Sequence, residues 1–195
     1  LLPLPPTSSV EVAVDNKKVD KERVHVLETA AVTWSRQIKA VLKTEPEQVL
    51  KTGLHPGPLV ELEFWQSKRY NLASIREQLA SDKFRKVMRV LDLTKSTYYP
   101  AFARLCKEVD AAHDEAASNV RYLEPLRPVL DTLLKAEFGE ALAASFRPVL
   151  HTIFLIWNES GHYNTPARLV VLVRMCCNTL IERARRHVTK GDPSG

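Results

Sequence analysis

Apolar residues recur at spacings of three and four along most of this chain, and the longest such pattern is VLHTIFLIWNESGHYNTPARLVVLVRMCCNTLI, Val149 to Ile181. Leu150, Phe154 and Trp157 form one series ahead of a polar turn at 158–164. Leu169, Leu172, Val173, Cys176 and Leu180 form a second series after it. Residues three or four apart share one face of a helix, so each series predicts a single apolar stripe. The segment therefore reads as an antiparallel helical hairpin whose inner faces meet. Thr165-Pro166 predicts the start of its second helix. A threonine there can accept bonds from free first-turn amides, and a proline gives up an amide that had no partner.

The same period organises the rest. Leu27, Ala31, Trp34, Ile38, Val41 and Leu42 predict a helix from about Val24 to Lys43-Thr44. Thr44 and Pro46 predict a short helix over Glu45–Leu50, and Gly53 with His55-Pro56-Gly57-Pro58 predicts a break. A long helix follows from Leu59, with Leu62, Trp65, Leu72, Ile75 and Leu79 inward and Glu61, Lys68, Arg69 and Arg76 outward. Ser81-Asp82 caps a shorter helix carrying Phe84, Val87, Val90 and Leu91. Thr94 or Ser96 opens another, running to about Tyr122 with Tyr99, Phe102, Leu105, Val109, Ala112 and Ala116 on one face. Pro125 and Pro128 interrupt there, so Leu126–Leu134 reads as a separate short helix or a kinked extension, and Phe138-Gly139 makes a corner before Glu140.

No stretch alternates as a strand would. The fold class is all-α, a bundle of roughly six to eight helices with long antiparallel hairpins. Residues 1–22, opening LLPLPP, predict an extended N-terminal arm; 23–188 form the helical domain; 189–195 form a flexible tail. Leu1 in place of Met suggests a fragment, and no secretory or transit peptide is recognisable.

Composition changes this picture little. The 195 residues are 45% hydrophobic and 26% charged, ordinary for a globular domain. The longest apolar runs, such as LVVLV at 169–173, fall far short of the ~20 residues that span a bilayer, so no membrane partner is expected. Cys106, Cys176 and Cys177 include an adjacent pair whose side chains diverge on a helix; all three read as small core hydrophobes in a reducing compartment. The net charge is +5, but basic and acidic residues are interspersed. The densest cluster, Arg183, Arg185, Arg186, His187 and Lys190, falls where the last helix ends, where cations complement the helix dipole. Nucleic acid is not needed to explain it.

Candidate chemistry is sparse. Neither GxxxxGK[ST] nor GxGxxG occurs, which excludes a Walker-type nucleotide site in this chain. The six histidines (25, 55, 113, 151, 162, 187) form no HExxH and no zinc spacing with cysteine, so neither metal nor cofactor is expected. His113, Asp114 and Glu115 diverge around a helix and read as a solvated face, as do Glu61 and Glu63. Ser160 with His162 lacks an orienting acid and a strained elbow. No catalytic residue is assigned. Trp34, Trp65 and Trp157 lie on apolar faces and read as core, although Trp is also enriched at interfaces. Tyr70, Tyr98, Tyr99 and Tyr163 fall near helix ends or turns, where exposure is open to them.

Four separated runs carry a resemblance: TWSRQIKAVL (33–42), GLHPGPLVELEFWQSKRYNLASIREQL (53–79), NVRYLEPLRPVL (119–130) and IFLIWNESGHYNTPARLVVLVRMCCNTLI (153–181). In content and order they resemble the N-terminal tail of axonemal dynein heavy chains, most closely the outer-arm β type, over about 24–188. The resemblance implies a non-catalytic tail piece of a ciliary or flagellar motor whose ATPase lies elsewhere in a longer chain. It implies partners among other dynein heavy chains, as homo- or heterodimer, and assembly on the axonemal doublet microtubule. Contact with intermediate and light chains and docking proteins is left open, and the expected location is cytoplasm and axoneme.

Carried over by position, the family motifs fall on Trp34, Phe64, Trp65, Trp157, Tyr163, Asn164, Thr165, Pro166 and Arg168. Most read as structural: tryptophans as core, 164–166 as the start of a helix, Arg168 as bonding back across the turn. Candidate interface positions are Val60, Phe64, Tyr70, His162, Tyr163, Val170 and Val171; of these Val60, Phe64, Val170 and Val171 widen their helices' apolar arcs beyond one seam. The expected function is heavy-chain dimerisation and docking of the motor. The alternative is a helical basic module that binds an acidic surface, tubulin or nucleic acid, with steep salt dependence. A hidden enzyme would need a pocket that sequence does not reveal.

Overall fold

The computed structural model describes residues 21–47, 57–137 and 139–190. Of the short helix expected at Glu45–Leu50, residues 45–47 are described, and Pro46 and Glu47 are helical while Glu45 is not. The arm expected at 1–22, the break around Gly53 and His55-Pro56, Phe138 and the tail beyond 190 lie wholly or largely outside the described residues. Among these residues the chain is all-α, with seven helices: α1 Lys21–Leu42, α2 Pro58–Ala80, α3 Asp82–Leu93, α4 Tyr99–Leu123, α5 Leu126–Lys135, α6 Glu140–Glu159 and α7 Pro166–Lys190. Contacts divide the chain into two compact units.

One unit takes 21–44 and 68–114. Its core is the expected one: Leu27, Ala31, Trp34 and Ile38 of α1 with Phe84, Val87, Val90 and Leu91 of α3, together with Leu72, Ile75, Phe102, Leu105 and Val109. Helix α1 packs on α3. Trp34 stands 5.9 Å from Phe84 and 6.2 Å from Phe102, ring centre to ring centre, and the two phenylalanines are 5.6 Å apart. Such triads add to the area they bury, because ring edges and faces carry opposite partial charge.

Helix α3 starts and stops by local chemistry. Ser81 Oγ accepts from the Phe84 amide at 3.3 Å, the expected N-cap. At the other end Ser96 N donates to Leu91 O and Lys95 N to Asp92 O, a Schellman closure that turns the chain through Lys95 at φ 53°. Lys68, expected outward, is buried instead. Its Nζ donates to Thr44 O at 2.7 Å and Leu42 O at 3.3 Å, so the charge sits on carbonyls at the end of α1. A cation there meets both the free carbonyls and the negative end of the helix.

The other unit takes 45–47, 57–67, 115–137 and 139–190. Leu62, Trp65, Ala116, Val120, Leu123, Leu126, Leu130 and Leu133 form its core with Val149, Ile153, Ile156, Tyr163, Leu172, Met175 and Cys176. Helix α5 packs on α6. Gly139, at φ 114°, precedes α6 in a backbone region open only to glycine. Arg183 of α7 donates to Leu133 O and Ala136 O, where α5 runs out of amide partners.

Helix α6 corrects the expected stripe. Leu150 and Phe154, expected inward, are 63% and 58% exposed, while Val149, Thr152, Ile153 and Ile156 are buried. Trp157 is half-buried rather than core. The run VLHTIFLIW is apolar on nearly every face, so two stripes offset by one residue fit the helical period equally well. On α7, Val173 likewise turns outward and Met175 takes the inner face.

Candidate functional site

The polar turn between α6 and α7 is anchored inward, and its residues meet the first turns of α2 and the end of α4. The Ser160 amide closes α6 by donating to Ile156 O at 3.0 Å. Ser160 Oγ accepts from the Tyr163 amide and donates to Asn119 Oδ1, each at 3.1 Å. These bonds aim Tyr163 into the core, where it is 0% exposed. Its hydroxyl donates to Glu61 Oε1 at 2.7 Å and accepts from Trp65 Nε1 at 2.9 Å. The spacing of Glu61 and Trp65, four apart on α2, is what lets one oxygen bridge both.

His162 packs edge-on to both rings, 4.8 Å from Trp65 and 4.9 Å from Tyr163 between centroids. Its Nδ1 lies 3.5 Å from Glu115 Oε1. Three buried polar atoms of the cluster lack a hydrogen-bond partner: Glu61 Oε2, Asn119 Nδ2 and His162 Nε2. Burial raises the Glu61 pKa above its ordinary 4.5, opposed by the Tyr163 bond and by nearby His162 and Arg168. Burial, with the Glu61 charge, also pushes the Tyr163 phenol far up, so it keeps its proton and acts as a donor. Ser160 and Tyr163 are thus committed to internal bonds. The arrangement works as a latch that fixes the turn against α2 and α4.

Glu61, expected on a solvated face, is therefore a correction: it is 4% exposed. Glu63 is exposed, as expected. Tyr163, a candidate interface residue, is wholly buried, and the His162 side chain is only 8% exposed, so neither presents a free surface. Of the other interface candidates, Tyr70 is 76% exposed, Val170 is exposed, and Val60, Phe64 and Val171 are half-covered. Phe64 packs edge-on to Trp65 at 5.2 Å. Among the motif residues, Trp34 and Trp65 are core, while Asn164, Thr165 and Pro166 are exposed. Pro166 opens α7, with the Thr165 carbonyl accepting from the Arg168 and Leu169 amides. Arg168 does not bond across the turn; it pairs with Glu45 at 3.6 Å and with Glu47.

His113 is not the free solvated residue expected: its Nδ1 lies 2.8 Å from Arg76 Nη1, and Arg76 also meets Asp110 at 2.8 Å. Cys176 is buried, Cys106 half-buried and Cys177 exposed, so the last is no core residue. Among the described residues no group of three or more His, Cys, Asp or Glu could hold a metal ion, and no helix is long and apolar enough to cross a membrane. The exposed apolar residues that sequence missed are Leu150, Phe154 and Leu155 on α6 and Val173, Ile181 and Val188 on α7, where they join Val170, already expected outward.

The described residues are all-α, and one of their two units is held by a buried polar latch and turns apolar helix faces outward. The chain belongs to the family described as dynein heavy chain, N-terminal region 1, whose model matches residues 24–192. It is 47% identical to the dynein beta chain of the flagellar outer arm of Chlamydomonas reinhardtii over 98% of its own length. It is 40% identical to the ciliary dynein beta chain of Tripneustes gratilla over 100% of its length, and 38% identical to dynein axonemal heavy chain 17 of Mus musculus over 97%. The chain spans 4% of the length of each of these relatives.

Proposed function

We propose that this chain is a non-catalytic interaction module of an axonemal dynein heavy chain, which pairs with another heavy-chain tail and helps place the motor on doublet microtubules. One observation carries the reading: α6 is apolar on two faces, and only one is used by the fold. Val149, Ile153 and Ile156 are buried, while Leu150, Phe154 and Leu155 stand exposed on a helix related along its whole length to heavy-chain N-terminal regions. Between Glu140 and Glu159 this helix has no acidic residue, and its formally charged group there is Arg147. Large apolar side chains grouped on one exposed face favour contact with another protein surface. ATP hydrolysis would belong to the remainder of the longer heavy chain, and intermediate or light chains and docking proteins would join the same assembly at the axoneme.

The test is light-scattering mass of this chain alone and mixed with the equivalent region of a second outer-arm heavy chain. The expected result is a heterodimer that Phe154→Glu abolishes. Monomers throughout would remove the pairing claim. A complex with tubulin that dissolves steeply with salt and ignores Phe154→Glu would favour the basic-surface alternative.

A further inference from the structure

Helix α7 carries a second outward seam that the pairing through α6 does not use. Val170, Val173, Cys177, Ile181, Ala184 and Val188 are all exposed, and they recur at spacings of three and four. At 100° per residue they fall within an arc of about 80°, and they run for about 27 Å along the axis. The buried face, Leu172, Met175 and Cys176, lies on the other side of the helix. A narrow, straight stripe of small and β-branched residues is the shape that takes one other helix, with knobs set between its side chains.

Charge says what that helix must be. Arg168, Arg174, Arg183, Arg185, Arg186 and Lys190 share α7 with a single acid, Glu182. Arg168 is taken up by Glu45 and Glu47, Arg183 by the carbonyls ending α5, and Arg186 by Glu182. Arg174 and Arg185 enter none of these pairs; eleven residues apart, they lie on the same flank of the seam. A second copy of α7 offers this flank no free carboxylate, since its one acid, Glu182, is paired with Arg186. We infer that the α7 seam docks an acidic amphipathic helix of a partner chain, with apolar residues in the seam and carboxylates along the Arg174–Arg185 flank. The inference stands apart from the α6 pairing, because it concerns a different helix and a different chemistry of partner.

The probe is a labelled synthetic peptide of about four heptads with Leu at a and d and Glu at e and g, beside a twin with Lys at e and g. Fluorescence anisotropy is read against the 195-residue chain. The Glu peptide should bind saturably and at least about tenfold more tightly than the Lys twin. Ile181→Glu should remove that binding. Arg174→Glu with Arg185→Glu should reverse the preference towards the Lys twin, a gain that misfolding cannot produce. Retention of the Glu preference by the reversed variant, or equal binding of both peptides by the native chain, would overturn the inference. So would sedimentation with phosphatidylserine vesicles that Ile181→Glu abolishes, or displacement of the peptide by polyuridylate. A dimer of the native chain lost in Ile181→Glu would overturn it in favour of a second copy. Phe154→Glu should leave peptide binding intact, so that failure of the α6 pairing and failure of the α7 seam are read separately.

Discussion

Tyr163→Phe removes one oxygen and keeps the ring, yet it should be among the more damaging single changes in this chain. That oxygen serves two buried partners, Glu61 Oε1 at 2.7 Å and Trp65 Nε1 at 2.9 Å. Glu61 Oε2 has no partner already, so the substitution strips the carboxyl of its remaining hydrogen bond. Leaving a buried polar group unsatisfied costs about 1–3 kcal/mol, and more where it is charged. With two groups affected, a loss of about 2–5 kcal/mol is expected, a large part of the ~5–15 kcal/mol typical of a folded domain. Urea unfolding followed by far-ultraviolet circular dichroism measures it. A companion variant, Tyr163→Phe with Glu61→Met, replaces the carboxyl by an apolar group and should recover part of the loss, because nothing ionisable is then stranded. A loss under about 0.5 kcal/mol for Tyr163→Phe, or strictly additive effects of the two changes, would refute the latch.

Three further outcomes are expected. Because burial raises the Glu61 pKa above 4.5, the folded chain holds that proton more tightly than the unfolded chain does. The resulting stability is full below that value and is lost as pH rises through the folded pKa; Glu61→Gln should flatten this fall, and unchanged pH slopes in urea midpoints would contradict it. Lys95→Gly, which relieves a side chain at φ 53°, should raise stability by about 0.5–1 kcal/mol in thermal melts; a lower melting temperature would show that the Lys95 side chain makes up the strain. Brief alkylation of the native chain by iodoacetamide should modify exposed Cys177 first. Burial pushes the Cys176 thiol up to about 12 and Cys106 up to about 11, so early labelling of either, read by peptide mass, would contradict the core packing.

Local signals were legible wherever one face of a helix differed sharply from the other. Helix α3 shows this: a serine cap, then Phe84, Val87, Val90 and Leu91 at helical spacing among charged residues, and all four are buried. Helix α6 shows the opposite case, since a run apolar on every side gives periodicity no basis for choosing between Leu150–Phe154 and Val149–Ile153. Glu61 and Lys68 were misplaced for another reason. Charged residues are usually solvated, and the exceptions depend on partners that local spacing does not display: a phenol 102 residues away for Glu61, and carbonyls 26 and 24 residues away for Lys68. Tyr163 looked exposed because its turn is polar in composition. Asn158, Glu159 and Asn164 of that turn do face solvent, but Ser160 and Tyr163 turn inward, Ser160 to Asn119 and Tyr163 to Glu61.

That distinction separates what holds the chain together from what it offers to others. The latch residues make their bonds inward, so their loss should lower stability and weaken partner binding only through unfolding. Leu150, Phe154 and Leu155 make little contact that the fold needs, and keeping three large apolar groups in water brings the isolated chain no gain in burial. Phe154→Glu should accordingly leave the urea midpoint within the equivalent of about 0.5 kcal/mol, as exposed substitutions generally do, while abolishing association with a second heavy-chain region. A variant that lost stability and association in equal measure would mean that the face is part of the core after all. Association lost at full stability would mean that the second apolar face of α6 exists for its partner.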